Sequence, residues 1–150
     1  AKLAKNDLDK FLINEAKGGK PFLGICLGMQ MLFEKSYEYG EYEGLGLLKG
    51  KVVPISACLT DKTLKVPHIG WNALEIVRDN PLFKYVKDGD YVYFVHSYYV
   101  TGCEDSLLAL TDYSCPLTAA AAKDNIYACQ FHPEKSGEVG LNILRAFNEM

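Results

Sequence analysis

Apolar residues at Ala4, Leu8, Phe11, Leu12 and Ala16 recur at helical spacing, and the pattern stops at Gly18-Gly19, which predicts a helix over residues 3–17. Pro21-Phe22-Leu23-Gly24-Ile25 is a short apolar run bounded by Pro and Gly, the pattern of a strand buried on both faces. Helical spacing returns over residues 27–35. A strand, a sharp turn and a helix in so few residues form the βα step of an open, mostly parallel sheet. The later chain reads as strands over residues 45–55, 71–77, 91–100, 107–111, 117–122 and 126–131, punctuated by Gly40, Asp61, Asp79-Asn80, Asp88-Gly89, Gly102 and Asp124-Asn125. A last helix over residues 137–148 gathers Val139, Leu141, Ile143, Leu144 and Phe147 largely on one side. Helices at both ends with strands between them predict a three-layer α/β domain with an additional antiparallel portion, and no repeat or linker divides the 150 residues.

Composition narrows the class. Apolar residues at 49% and charged residues at 23% exclude a disordered, collagen-like or coiled-coil chain. A net charge of −3 without a basic cluster argues against nucleic acid as a partner, and the apolar runs are too short to span a bilayer. The charged first residues do not read as a signal peptide, so a cytoplasmic protein is expected. Five scattered cysteines without a C-x-x-C pair suggest neither a disulfide framework nor a zinc site.

One cysteine stands out. Gly24-Ile25-Cys26-Leu27-Gly28 is a cysteine version of the nucleophile elbow, with glycines two residues either side so that a strained strand-to-helix turn can pack. At a helix N-terminus Cys26 is expected to favour thiolate, with the Leu27 N–H contributing to an oxyanion hole. The alternative is that Cys26 is a small buried hydrophobe. A thiolate that attacks an amide needs an acid to protonate the departing nitrogen. His132 ends the apolar strand, and Glu134, two residues on in extended chain, can hold its ring, with Pro133 fixing the geometry. His68 and His96 have no carboxylate two residues away, so a satisfied structural histidine is the first reading of each and a site-lining or interface role the second. Gln30 falls one helical turn after Cys26 and could reach the same pocket, although alone it is an ordinary surface glutamine.

Two separated motifs, Pro21-Phe22-Leu23-Gly24-Ile25-Cys26-Leu27-Gly28-Met29-Gln30 and Gln130-Phe131-His132-Pro133-Glu134-Lys135-Ser136, strongly resemble those of the class I (triad) glutamine amidotransferases. Val66-Pro67-His68-Ile69-Gly70-Trp71-Asn72 and Tyr93-Phe94-Val95-His96-Ser97-Tyr98-Tyr99 narrow the resemblance to the glutaminase subunits of imidazole glycerol phosphate synthase, which work in histidine biosynthesis. The resemblance implies one domain over residues 1–150, a three-layer α/β/α, flavodoxin-like open sheet with an antiparallel addition, needing no cofactor or metal. Cys26 would attack the glutamine side-chain amide, His132 would protonate the leaving ammonia, and Glu134 would orient His132. Leu27, Gly28, Gln30, Ser97 and Tyr98 would hold the substrate. Ammonia would pass to a (β/α)8-barrel cyclase subunit, with His68, Ile69, Trp71, Asn72, Tyr93 and Lys135 at or near that interface; Trp71 filling core is the alternative. Such subunits begin with a strand, a helix, a second strand and a Gly-rich loop donating another oxyanion N–H, so this chain reads as one lacking that N-terminal quarter. Another triad amidotransferase, a γ-glutamyl hydrolase, or an inactive fragment that only docks are the competing expectations.

Overall fold

The computed structural model describes residues 8–150, and the helix read over residues 3–17 is seen there as α1, Leu8–Lys17, its expected start lying outside the described residues. Gly19, at φ +85°, turns the chain out of α1, and the Asn125 side-chain amide donates to the carbonyls of Ala16 and Lys20 beyond the last turn. Ala16 is buried as predicted, but Phe11 is exposed.

The chain then runs as β1 (Phe22–Ile25), α2 (Leu27–Met31), β2 (Lys35–Ser36), β3 (Tyr42–Glu43), β4 (Lys51–Pro54), β5 (His68–Ala73), β6 (Glu75–Ile76), β7 (Tyr91–His96), β8 (Tyr98–Thr101), β9 (Leu107–Asp112), β10 (Pro116–Lys123), β11 (Ile126–Cys129) and α3 (Gly137–Asn148). The main sheet has the order β1-β11-β10-β9-β6, joined by a four-stranded sheet β3-β2-β4-β8 and the pair β5-β7. The α/β class matches the expectation, but the antiparallel share is larger than the βα step implied: among the described residues of the main sheet, β1 and β11 pair in parallel and the other pairs are antiparallel. As an end strand among the described residues, β1 is buried fully only at Gly24, not along both faces.

Alternation along β11 divides the core. Tyr127 and Cys129 point into a cluster with Phe94, Phe131 and Ile143, under α3, whereas Ile126 and Ala128 point into a second cluster with Met29, Leu32, Phe33 and Val100, under α2. Layers of side chains on both faces of one sheet are the three-layer arrangement. In α3, Val139, Ile143, Ala146 and Phe147 supply the packed side, while Leu141, expected there, faces outward.

The helix predicted over residues 27–35 ends at Met31, because tertiary contacts take its last carbonyls. The N–H groups of Leu45, Leu47 and Leu48 donate to Met31 and Leu32, so residues 44–48 form a loop clamped on the helix end. That same loop shortens the strand expected over residues 45–55 to β4. The cysteine reading is also corrected: Cys58 and Cys115 form a disulfide, with Cα atoms 6.1 Å apart. Fifty-seven residues separate them, and the fold brings them together where the turn at Ser114, just before β10, is bonded to Thr60 and Asp61 after β4.

Candidate active site

Cys26 sits where β1 ends and α2 begins, with φ 53° and ψ −108°, a conformation an L residue adopts only under constraint. The constraint is visible on both sides. The Cys26 N–H donates to the Cys129 carbonyl at 2.8 Å, continuing the parallel ladder, and the Gln30 N–H donates to the Cys26 carbonyl at 3.1 Å, starting the helix. A Cβ on Gly24 would lie 2.7 Å from the Gly28 carbonyl oxygen, so the close approach of strand and helix requires glycine at position 24. Gly28 differs from expectation: a Cβ there meets nothing within 4 Å, and its side faces open space.

The sulfur faces Val95 and Gln130. Its thiol points at the Val95 carbonyl, 3.8 Å away, and the Gln130 amide donates to it at 3.7 Å. Burial pushes the Cys26 thiol above its ordinary range, opposed by the Leu27 N–H and the Gln130 amide and reinforced by the charges of Glu134 and Glu38. The expected thiolate preference is therefore not what the site provides. A helix of five residues brings little dipole, and desolvation wins. Cys26 is a thiol at rest and needs a base.

His132 follows β11 and stands at the entry of a 3-10 turn over Pro133–Lys135. Its Nδ1–H donates to Glu134 Oε1 at 2.5 Å, which leaves Nε2 as the basic nitrogen. The turn is clamped by β7: the His132 N–H donates to the Tyr93 carbonyl, the Tyr93 N–H donates to Ser136 Oγ, and Ser136 Oγ–H donates to the His132 carbonyl at 2.6 Å. Beneath it, Gly140 of α3 lies so close to Pro133 that a Cβ would overlap the Pro133 carbonyl. Cys26 and His132 thus leave the C-terminal ends of neighbouring parallel strands, the edge where open α/β sheets gather their sites. Glu134 is near enough to act electrostatically on the sulfur. Among the described residues no hydrogen bond joins Cys26 to His132; the His132–Glu134 pair and the cysteine are each held in place separately.

An open cleft of about 250 Å³ begins at the sulfur and is bounded by Gln30, Glu38, Tyr39, His96, Ser97 and Tyr98, with Leu27 at its mouth. Gln30 is buried, its amide shared between the Tyr98 carbonyl and Gln130 Oε1, both at 3.1 Å. Gln130, Glu38, Tyr39 and Ser136 are members that sequence reading did not single out. Gln130 lay inside a quoted motif, but a glutamine declares no chemistry until its strand neighbour is known. Glu38 stands in a stretch with no periodicity, and Ser136 acts only through the turn it closes.

The residues expected at a partner surface divide. Ile69 and Lys135 are exposed and Trp71 is 51% exposed, so the lone tryptophan is not core. Trp71 packs edge-on to Tyr93 and over Gly137, which sets it beside the His132 turn. Asn72 and Tyr93 are half-buried. His68 is 1% exposed and bonded within the fold, so its side chain is not part of that surface. Among the described residues no group of three His, Cys, Asp or Glu side chains converges to hold a metal ion, and no helix is long and apolar enough to cross a membrane.

The family model for class I glutamine amidotransferases matches residues 5–149. The HisH subunit of imidazole glycerol phosphate synthase from Caldanaerobacter subterraneus is 59% identical over 133 residues, spanning 88% of this chain and 63% of that protein. The HisH subunit from Bacillus licheniformis is 52% identical over 149 residues, spanning 98% and 70%. The chain thus covers about two thirds of the length of these relatives. Among solved structures, a glutamine amidotransferase from Thermotoga maritima superposes with a TM-score of 0.65 at 21% identity, over 96% of this chain and 54% of that one. A further glutamine amidotransferase gives 0.67 at 16% identity, over 97% and 71%.

Proposed function

The chain belongs to the class I glutamine amidotransferase family, and from that membership we propose that it is the glutaminase part of an imidazole glycerol phosphate synthase, releasing ammonia from glutamine for histidine biosynthesis. The observation that carries the reading is Cys26 in a strained elbow on the strand beside the one that leads to a carboxylate-held imidazole.

The chemistry follows from the protonation states. His132 Nε2 takes the Cys26 proton as sulfur adds to the glutamine side-chain carbonyl. The Leu27 N–H, already directed at the sulfur, supports the negative oxygen that forms. The tetrahedral adduct collapses with the C–N bond breaking, and the proton on His132 goes to the nitrogen, which leaves as ammonia. Water, deprotonated by His132, then adds to the thioester and releases glutamate and the thiol. Glu134 keeps the Nδ1–H tautomer throughout, so that Nε2 stays available. Glutamine carries an α-ammonium group and an amide, and the cleft offers Glu38 as an opposing charge and the backbone of Ser97 and Tyr98 as polar wall.

The ammonia acceptor is a (β/α)8-barrel cyclase subunit, docked on the surface of Ile69, Trp71 and Lys135. The complex works in the cytoplasm. Glutamate release is measured with the barrel partner present. Cys26→Ala cuts it to a small residual rate, and Glu134→Ala lowers it less than His132→Ala, because orienting a base matters less than supplying one. Unchanged release by Cys26→Ala contradicts the mechanism.

A further inference from the structure

Two histidines outside the catalytic set meet beneath the cleft. His68 and His96 oppose each other across the β5–β7 pair, are 1% and 6% exposed, and bring His68 Nδ1 within 3.0 Å of His96 Nε2. On one side His96 Nδ1 lies 2.9 Å from the Tyr98 carbonyl. On the other, His68 Nε2 lies 3.2 Å from the Asn72 side chain, whose amide donates to the Asp112 carbonyl at 2.8 Å.

Counting hydrogens fixes the direction of this chain. A carbonyl only accepts, so His96 Nδ1 must carry a hydrogen. Burial holds His96 at about 4 and lowers His68 too, so each neutral ring has one N–H. His96 Nε2 is then a bare acceptor, and the hydrogen between the rings belongs to His68 Nδ1. Four junctions between the Asp112 and Tyr98 carbonyls need four hydrogens, whereas two neutral rings and one amide supply three. One junction therefore lacks a hydrogen, and it is the His68 Nε2–Asn72 Oδ1 contact, where two acceptors face each other at 3.2 Å, the longest of the four distances. The buried junctions stay closed.

The anchored carbonyl is the one that accepts the Gln30 amide; Gln30 in turn donates to Gln130, which donates to the Cys26 sulfur. We propose that His68 and His96 are positioning residues for the glutamine cleft: His68 fixes the tautomer of His96, and His96 pins the Tyr98 carbonyl and, through it, the Gln30 amide beside Cys26. This deepens the glutaminase reading and rests on it.

The test labels Cys26 with the diazoketone analogue of glutamine, the diazo carbon taking the thiol proton and the sulfur then displacing dinitrogen, and separates the half-saturating concentration from the limiting rate. His96→Leu raises the half-saturating concentration about tenfold or more and leaves the limiting rate within about threefold, as expected for lost positioning worth one factor of ten in affinity. His96→Asn, which keeps an N–H donor near the Nδ1 position, stays within about threefold of wild type on both counts, about 0.7 kcal/mol at most. Ring-nitrogen NMR of the wild-type chain, which needs no variant to fold, shows both histidines as Nδ1–H tautomers. Unchanged half-saturation in His96→Leu, equal losses in the Leu and Asn variants, or an Nε2–H ring in either histidine overturns the proposal. Failure of the wild-type chain to label at Cys26 contradicts instead the glutaminase reading itself.

Discussion

At residue 26 the backbone works against the side chain it carries. A positive φ is natural to glycine and costly for cysteine, so the site holds about 1–3 kcal/mol of strain so that the sulfur is presented at the sheet edge. Cys26→Gly is therefore expected to be about 1 kcal/mol more stable than Cys26→Ala in urea unfolding, although both lack the nucleophile. Equal stability of the two would show that the conformation is unstrained. This strain was legible in the sequence, because glycine at 24 and 28 around a cysteine announces an elbow. The thiol's protonation was not. It depends on how deeply the fold buries the sulfur and on the charges of Glu38 and Glu134, which come from separate segments.

Among the elements, α3 shows how a helix can matter to a site it does not enter. Its Gly140 admits the Pro133 carbonyl, and the turn carrying His132 and Glu134 rests on that approach. Alanine is the better helix former by about 1 kcal/mol, but overpacking against backbone costs about 1–3 kcal/mol and here there is no flexible side chain to yield. Gly140→Ala is expected to lose at least about 1 kcal/mol of unfolding free energy and to slow glutamine hydrolysis; a gain in stability would mean that propensity decides. The helix itself was readable from its apolar spacing, as was β11. Periodicity misled in two ways: residues 44–48 cap α2 early through tertiary hydrogen bonds, and Leu141, two residues from both Val139 and Ile143, lies about 200° round the helix from them and faces out.

Across the described residues, two sheets and the β5–β7 pair bring residue 26 beside residues 130–134 and bury two imidazoles against each other, one of them lining the cleft. The motifs made the first meeting legible; the His68–His96 contact was not, since only the β5–β7 register places those residues opposite each other. The buried pair has a consequence for stability. The folded His96 sits at about 4, below the ordinary value near 6.5, so between those values the unfolded chain binds more protons. Its contribution is complete above pH 6.5 and is lost as pH falls toward 4, about 2 kcal/mol between pH 7 and pH 5. Urea unfolding at the two pH values measures the loss, and His96→Asn is expected to flatten it; an identical drop in that variant would assign the effect elsewhere.

The mechanism requires Cys26 and His132 to act as one unit. Glutamate release with the barrel partner, compared among Cys26→Ala, His132→Ala and the double variant, tests it most directly. The double variant is expected to be no slower than the slower single one, because a nucleophile without its base and a base without its nucleophile fail at the same step. Losses that multiply would mean that the two side chains act independently, and would contradict it.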